Sequence, residues 1–318
     1  MLPVVYVHIG SRPAPHLLDS IGQTRRVSAM TPIFVVLSRD TVMAAEVAGP
    51  NTTVVYADAL AATEAHDAYI RSVRRRLGKK RGFWRFATER FFLIEECMTA
   101  FDLSAVLHLE SDNVIFFDVE SVAATLKRLY AGLAAPFLND DLCVPGVVYV
   151  GDRSVLADLN AYIAARVAEE AAAMHRWYRP LFLARVRMGI KLHDMNLLAD
   201  FRKQGGDRLH LLPMVPPGYR AGSGGKAMDC GLPYSEGFEA LQMIFDGAAF
   251  GQYLYGLDPN HHDAEGTVGM VNPQSCVRAT DFGFDGFDVV DSAPHLTYDG
   301  GRVRLASLHN HSKRRLFS

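Results

Sequence analysis

The sequence predicts an α/β fold in which parallel strands are joined by crossover helices, and three observations support this prediction. Short apolar runs alternate with helical segments through the first part of the chain, and parallel strands require such crossovers. The chain has 318 residues, of which 49% are hydrophobic, so it can bury a large core. No internal repeat or low-complexity tract interrupts this organisation.

The elements follow one another in the order that such a sheet requires. Apolar runs of strand length are at Val4 to Ile9, Ile33 to Ser38 and Thr53 to Asp58. A helix is expected around Pro15 to Arg25, between the first two runs. A second helix, from about Thr88 to Ala100, leads into the buried run AVLHL. The sequence therefore predicts four strands before residue 110.

The composition excludes several classes of protein. The formal net charge of -2 does not suggest a nucleic-acid partner. The four cysteines lie far apart without a CxxC pair, so we expect reduced thiols rather than a disulfide framework or a structural zinc site. The segment MLPVVYVHIG does not resemble a signal peptide, and no apolar stretch is long enough to cross a bilayer. We expect a cytoplasmic protein.

Several candidate binding residues lie where the predicted strands end. Ile9, Gly10 and Ser11 lie at the end of the first strand, Asp58 ends the third, and Glu110-Ser111-Asp112 follows the fourth. Ligands of open parallel sheets bind beyond the carboxyl ends of the strands. We therefore expect these residues to share one cleft.

The segment AVLHLESDNVIFFD carries a buried strand directly into two acids. Glu110 and Asp112 are two positions apart, so in an extended segment their carboxylates face the same side and repel each other. A divalent cation removes that repulsion, and Mg²⁺ or Mn²⁺ commonly bridges protein carboxylates to nucleotide phosphates. The alternative is that one acid caps a turn and the other is solvated.

This segment resembles the D-x-D motif of the nucleotide-sugar glycosyltransferases of the GT-A fold, especially the retaining family-8-like branch, with Glu110 in place of the first Asp. The resemblance implies a Rossmann-like mixed sheet flanked by helices, with acceptor-side helical insertions. It also implies one catalytic domain, 1–318. Within it, residues 1–118 would bind the nucleotide sugar, 119–302 the acceptor, and 303–318 the metal and diphosphate.

Three further positions match the family in order along the chain. Arg90 occupies the place of an arginine that faces the nucleotide, although it could equally form a salt bridge with a neighbouring acid on its helix. Asp194, in HDMNLLADF, matches an acid of the family's D-Q-D-x-L-N segment. Asp194 and Asp246 are the candidates for contacting the acceptor hydroxyl, and for both the alternative is the start of a helix.

The segment LASLHNHSKRR resembles the family's C-terminal metal and diphosphate site. His309 or His311 would complete the metal site, and Lys313 would contact the diphosphate. Strand alternation puts both histidines on one side, and proximity to Lys313 favours His311. A polar terminus without a role is the alternative.

The resemblance implies a metal-dependent transferase that uses Mn²⁺ or Mg²⁺ to move a hexose from a nucleotide diphosphate sugar, with a uridine-linked donor and retention of configuration favoured. A glycan or lipid-linked acceptor in bacterial surface polysaccharide synthesis is the expected setting. A sugar-phosphate nucleotidyltransferase and a carbohydrate-binding or scaffolding protein on a decayed transferase fold are the alternatives. The basic run Arg71 to Arg85 could contact an anionic membrane surface at the inner face or be a solvated surface.

Overall fold

The computed structural model describes most residues of the chain. They are 1–11, 14–76, 82–176, 193–220, 230–257, 267–284, 286–288 and 293–313.

Thirteen strands occur in the described residues, and seven of them form the central sheet. The seven are β1 (Val4–His8), β2 (Ile33–Leu37), β3 (Thr52–Tyr56), β4 (Val106–Leu109), β6 (Leu133–Ala135), β9 (Val147–Val150) and β10 (Leu209–Leu211). The others pair two by two: β5 (Asn113–Ile115) with β13 (Ser307–His309), β7 (Phe137–Asn139) with β8 (Leu142–Cys143), and β11 (His295–Tyr298) with β12 (Gly301–Arg304).

The central sheet is mixed, in the order β10-β6-β9-β4-β1-β2-β3. Strands β4, β1, β2 and β3 run parallel, as does the pair β10 and β6, whereas β9 is antiparallel to both of its neighbours. Helices cover both faces, so the strands are nearly continuous apolar runs. The predicted α/β class, a mixed Rossmann-like sheet flanked by helices, is confirmed.

Nine α-helices of the described residues connect or flank these strands. They are α1 (Pro15–Val27), α2 (Ala44–Val47), α3 (Glu64–Arg76), α4 (Gly82–Ala100), α5 (Val119–Leu129), α6 (Arg153–Arg176), α7 (Asp194–Gly205), α8 (Phe238–Leu241) and α9 (Ala249–Tyr255). Local sequence sets several boundaries: Pro15 begins α1, and the Asp118 side chain caps α5 by accepting from the Glu120 amide. Gly256, with φ 79°, follows α9.

The core has two layers, one on each face of the sheet. Successive residues of β1 alternate between them, with Val5 in one layer and Val4 in the other. Helices α3, α4 and α6 contribute to the layer of Val5, whereas α1 and α5 contribute to the layer of Val4. This arrangement leaves the ends of the strands for a site.

Two sequence-based expectations about elements are revised. The helix expected from Thr88 begins six residues earlier, at Gly82, and β3 ends at Tyr56. Asp58 consequently lies in a 3₁₀ turn, Ala57–Ala59, rather than in the strand. The basic run Arg71 to Arg85 crosses residues 77–81, which lie outside the described residues, and its membrane contact stays a prediction.

The expectation of four reduced thiols is wrong for one pair. Cys230 and Cys276 form a disulfide across 46 positions, with 5.9 Å between their Cα atoms. The fold brings them together because Asp140 accepts from the Gly231 amide, while the Cys276 amide donates to the Leu138 carbonyl. Linear spacing carries no information about such proximity. The other two cysteines are free and buried, and burial raises the pKa of both thiols, that of Cys97 to about 12.

Among the described residues, no helix combines the length and the apolar character that crossing a membrane requires.

Candidate functional site

The acids of the ESDN segment lie in a tight turn between β4 and β5. The Glu110 amide donates to the Gly146 carbonyl at 2.9 Å, and the Asn113 amide donates to the Glu110 carbonyl at 3.1 Å. Strand β13 then pairs antiparallel with β5, with His309 opposite Asn113, and the Asn310 amide donates to the Asp112 carbonyl at 2.7 Å. This pairing brings a residue almost 200 positions away beside the two acids.

Glu110, Asp112 and His309 form a three-ligand cluster. One ligand atom from each lies within 4.8 Å of the other two. His309 Nε2 is 3.6 Å from Glu110 Oε2 and 3.5 Å from Asp112 Oδ1, and the side chains are only 19%, 12% and 10% exposed for Glu110, Asp112 and His309. Two carboxylates and one imidazole suit Mn²⁺, and the carboxylates also suit Mg²⁺. These residues therefore fit a divalent cation.

The charges of the cluster are strongly coupled. Burial alone would raise the pKa of Asp112, but the charge and hydrogen bond of His309, with the charges of Lys313 and His16, hold it well below its usual value. Burial alone would lower the pKa of His309, but Asp112, Glu110 and Asp246 raise it to about 9. The imidazolium thus occupies a place that suits positive charge, and it would have to lose its proton to bind a metal.

Arg90 links the cluster to α7. Its Nη1 donates to Glu110 Oε1, and its Nη2 donates to Asp194 Oδ2 at 2.5 Å. The alternative of a salt bridge with a neighbouring acid on α4 is wrong, since Arg90 pairs with Glu110 and Asp194, while Glu89, Glu95 and Glu96 bond Arg85, Asn160 and His66. Arg90 and Asp194 are both buried, so the guanidinium fixes the start of α7 against the acids. The two predicted residues are brought together with Glu110.

The carboxylate of Asp246 binds backbone amides at the start of α9, as its helix-start alternative predicts. It is fully buried, and its Oδ1 accepts from the Phe250 amide at 3.0 Å. Its Oδ2 accepts from the Gly251 amide at 2.8 Å and the His309 amide at 3.1 Å. Burial raises the pKa of this carboxyl, although the three amide contacts oppose the shift. It therefore joins the start of α9 to β13, and its catalytic contact stays a prediction.

The geometry favours His309 over His311 as the metal ligand, the reverse of the sequence-based preference. Strand β13 ends at His309, so the alternation that was expected to continue does not reach His311. The ring of His311 instead lies in the following turn, 5.4 Å from that of His309. Lys313 follows this turn, and its positive charge helps to lower the pKa of Asp112.

His16 is a residue that sequence reasoning missed. It lies in the first turn of α1, and its charge acts on Asp112. Burial lowers the pKa of His16, and Asp112 raises it while Lys313 and His8 lower it. The helix after β1 starts at the carboxyl edge of the sheet, and this topological rule could have pointed to His16.

The residues predicted to bind the nucleotide divide into two groups. Ile9, Gly10 and Ser11 follow β1, the strand next to β4, and the Gly10 amide donates to Ser38 Oγ at 2.9 Å. Ser111 is partly exposed in the turn with Asp112. Asp58 follows β3, three strands from β4, and a strand spacing of about 4.8 Å puts it roughly 14 Å away.

Asp58 is therefore not brought together with the acids. Its side chain accepts from Arg39 Nε at 2.7 Å at the exposed edge of the sheet. Arg39 in turn lies over the ring of Tyr56, 4.7 Å from its centroid.

No protein-family model matches the chain. No curated protein matches it either. Among solved structures, it is similar to mouse xyloside xylosyltransferase 1, with a TM-score of 0.44 and 8% identity over 67% of this chain and 85% of that one.

Two further solved structures illustrate the range of the matches. One is the galactosyltransferase LgtC in complex with donor and acceptor sugar analogues, with a TM-score of 0.40 and 11% identity over 67% of this chain and 73% of that one. The other is assigned as a glucose-1-phosphate thymidylyltransferase, from Bacillus anthracis and solved with sucrose, with a TM-score of 0.38 and 9% identity over 68% and 87%.

Proposed function

We propose that this chain is a metal-dependent glycosyltransferase of the GT-A type, which moves a hexose from a nucleotide diphosphate sugar to a glycan or lipid-linked acceptor. The observation that carries the proposal is the cluster of Glu110, Asp112 and His309 at the carboxyl ends of the strands. This edge is where open α/β sheets bind nucleotides.

Glu110, Asp112 and His309 would hold Mn²⁺ or Mg²⁺, which would neutralise the diphosphate leaving group. Lys313 supplies further positive charge on the side of Asp112. The nucleotide would extend from this point across β1, where Ile9, Gly10 and Ser11 follow the strand. Backbone amides and Ser hydroxyls there are suitable partners for ribose and phosphate oxygens.

Asp194 supports retention of configuration over inversion. Its Oδ2 already accepts from the buried Arg90 guanidinium at 2.5 Å, so it is poorly placed to take the acceptor's proton as a general base. A fixed negative charge can instead stabilise positive character at the sugar carbon. Arg90 would hold this carboxylate and Glu110 at a constant separation.

The setting of the reaction is part of the proposal. A uridine-linked donor, an acceptor of bacterial surface polysaccharide synthesis and a cytoplasmic location at the inner membrane face follow from the family resemblance. The Cys230–Cys276 disulfide is the observation against the cytoplasm, because disulfides persist mainly in oxidising compartments. Thiol labelling of the protein in intact cells, before lysis, would decide whether this pair is oxidised where the protein works.

One observation favours a scaffolding protein as a second candidate. The Arg90 guanidinium already pairs with Glu110, so this acid has a positively charged partner without any metal ion. A nucleotidyltransferase is less favoured, because it requires a glycine-rich phosphate loop after the first strand and HIGSRPAPH contains only Gly10.

The test is a thermal-shift panel of UDP, GDP, ADP and CMP, each with and without Mn²⁺. A ligand that binds the folded state raises the melting temperature by mass action, so the acceptor need not be known. We expect one nucleotide to stabilise the wild type only with Mn²⁺ and Asp112→Ala to remove the effect. Glu95→Gln is the matched control, because this acid of α4 bonds Asn160 instead of the cluster. No shift under any metal condition would favour the scaffold.

A further inference from the structure

Asn113 is a buried amide without a hydrogen-bond partner. It follows Asp112 directly, is completely buried, and neither its Oδ1 nor its Nδ2 has a partner among the described residues. Desolvating polar atoms without replacing their bonds to water is unfavourable, and native proteins rarely tolerate it. Such a group is most readily explained by a partner that it gains when the site is loaded.

The surroundings of Asn113 identify that partner. A Cβ on Gly146 would collide with Asn113 Nδ2 and would lie 3.4 Å from Glu110 Oε2, so the amide and the carboxylate converge over the Cα of Gly146. Gly146 does not have a positive φ, so its lack of a side chain provides space rather than backbone freedom.

His309, on the neighbouring strand β13, lies opposite Asn113. It is the cross-strand partner of Asn113, and the bond from the Asn310 amide to the Asp112 carbonyl makes this a non-hydrogen-bonded pair. In such pairs the side chains share one face and approach most closely. His309 Nδ1 is also buried without a partner among the described residues, while Nε2 faces the two acids.

We propose that Asn113 is a positioning residue of the cation site, which orients Glu110 and His309 from the side away from the ion. The inference rests on the proposed function, because it assumes that these residues bind a cation. A metal-bound histidine donates its second ring N–H to an acceptor, and metal-bound carboxylates accept further hydrogen bonds. An asparagine offers both groups: Oδ1 accepts from His309 Nδ1–H, and Nδ2 donates to Glu110 Oε2.

The test compares wild type and Asn113→Leu, which keeps the branching of the side chain and removes both polar atoms. Mn²⁺ alone is titrated and the free ion is followed by electron paramagnetic resonance, and the melting temperature of the metal-free protein is measured in parallel. We expect Mn²⁺ affinity to fall about 10- to 100-fold, the usual effect of losing such a partner. The metal-free melting temperature is expected to stay constant or rise, because two unsatisfied polar atoms leave the core.

A purely structural asparagine would behave in the opposite way, and Asn160 provides that control. It is also completely buried, but its Nδ2 donates to the Phe91 carbonyl and to Glu95 Oε2. Asn160→Leu should lower the melting temperature and leave Mn²⁺ affinity unchanged. Asn113→Ala repeats the test with a side chain that cannot overfill the core, in case the leucine prevents folding.

The outcomes separate this inference from the function on which it rests. If both Asn113 variants bind Mn²⁺ like the wild type while Asp112→Ala does not, the positioning role is wrong and the metal site stands. If the wild type itself does not bind Mn²⁺, both ideas are overturned together.

Discussion

His66 and His309 each lie beside two carboxylates, but the two clusters differ in the spacing of their groups and in their remaining hydrogen-bond partners. His66 Nδ1 is 2.7 Å from Glu96 Oε1 and its Nε2 is 3.4 Å from Glu89 Oε1, between helices α3 and α4. The corresponding distances at His309 are 3.5 and 3.6 Å, at the ends of strands. The pKa of each histidine is raised to about 9 by its acids, against the effect of burial.

The difference lies in which hydrogen-bonding positions are filled. Around His66, the Thr63 amide donates to Glu96 and Arg85 donates to Glu89, so the carboxylates have additional partners. Around His309, the second ring nitrogen and the neighbouring Asn113 amide have none among the described residues. A histidine with two acids is therefore not by itself a metal site. Vacant hydrogen-bonding capacity next to a loosely spaced cluster is the better indication.

The largest predicted loss of stability follows from replacing His66, because both of its ring nitrogens have carboxylate partners. His66→Gln leaves the buried Glu96 without its cation and Glu89 with Arg85 alone, and we expect a loss of about 3 kcal/mol in the free energy of unfolding. Mn²⁺ affinity should not change. Urea unfolding and Mn²⁺ titration measure the two quantities. A smaller loss of stability is expected for His309→Gln, because Arg90 and Lys313 remain near its acids, and equal losses would contradict the comparison.

Removing an acid from each cluster should separate their roles in metal binding. We expect Asp112→Asn to weaken Mn²⁺ binding at least 100-fold, or about 2.7 kcal/mol, because a ligand charge is lost. Glu89→Gln is the matched variant, and it should bind Mn²⁺ as the wild type does. Isothermal titration calorimetry measures both affinities. If Glu89→Gln weakened binding as strongly, the distinction between the clusters would fail.

His66 should make the free energy of unfolding depend on pH. Its folded pKa of about 9 lies above the unfolded value of 6.5, so its contribution is complete below pH 6.5 and is lost as the pH rises through 9. Between pH 6 and pH 10 we expect it to remove roughly 1–3 kcal/mol of stability.

The relevant measurement is urea unfolding across this pH range for the wild type and His66→Gln. The difference between the two curves should narrow as the pH rises, because the variant has already lost the charged histidine. A difference that stays constant with pH would assign the role of His66 to packing, through its ring stacked on Phe92.

The smallest changes in stability and in Mn²⁺ affinity are expected for a substitution of Asp246. Asp246→Asn places an NH₂ group where a carboxylate oxygen accepts amide hydrogens, so it should cost roughly 1–2 kcal/mol of stability. Because the His309 amide loses its anchor, Mn²⁺ affinity should fall about tenfold. Glu120→Gln is a control at an exposed acid, and it should change neither quantity. An Asp246→Asn variant with unchanged Mn²⁺ affinity would show that β13 holds His309 without this contact.

Much of the sheet could be predicted from the sequence, because buried parallel strands consist of short runs of apolar residues. The pairing of Glu110 with Asp112 could also be predicted, since both lie within a few residues of one strand end. Arg90 and Asp194 were found through family resemblance. Their direct contact across 104 positions has no local signal.

The remaining features depend on distant parts of the chain. The choice between His309 and His311 turned on where β13 ends, and strand alternation could not reveal that end. The position of Asp246 at the start of a helix was among the alternatives from the sequence, but its contact with the His309 amide, 63 positions away, has no local signal. The same holds for the Cys230–Cys276 disulfide and for the approach of His309 to Asn113, which the pairing of β5 with β13 creates.

That pairing also sets the order in which the site can mature during synthesis. Asn113 leaves the ribosome 196 residues before His309, its partner in the register of β5 and β13. At about 5–20 residues per second, His309 is synthesised roughly 10–40 s after Glu110 and Asp112. Strands β1 to β4 can pair in that interval, but the nascent chain lacks a complete cation site. The cluster of Glu110, Asp112 and His309 is therefore completed in one late step of synthesis.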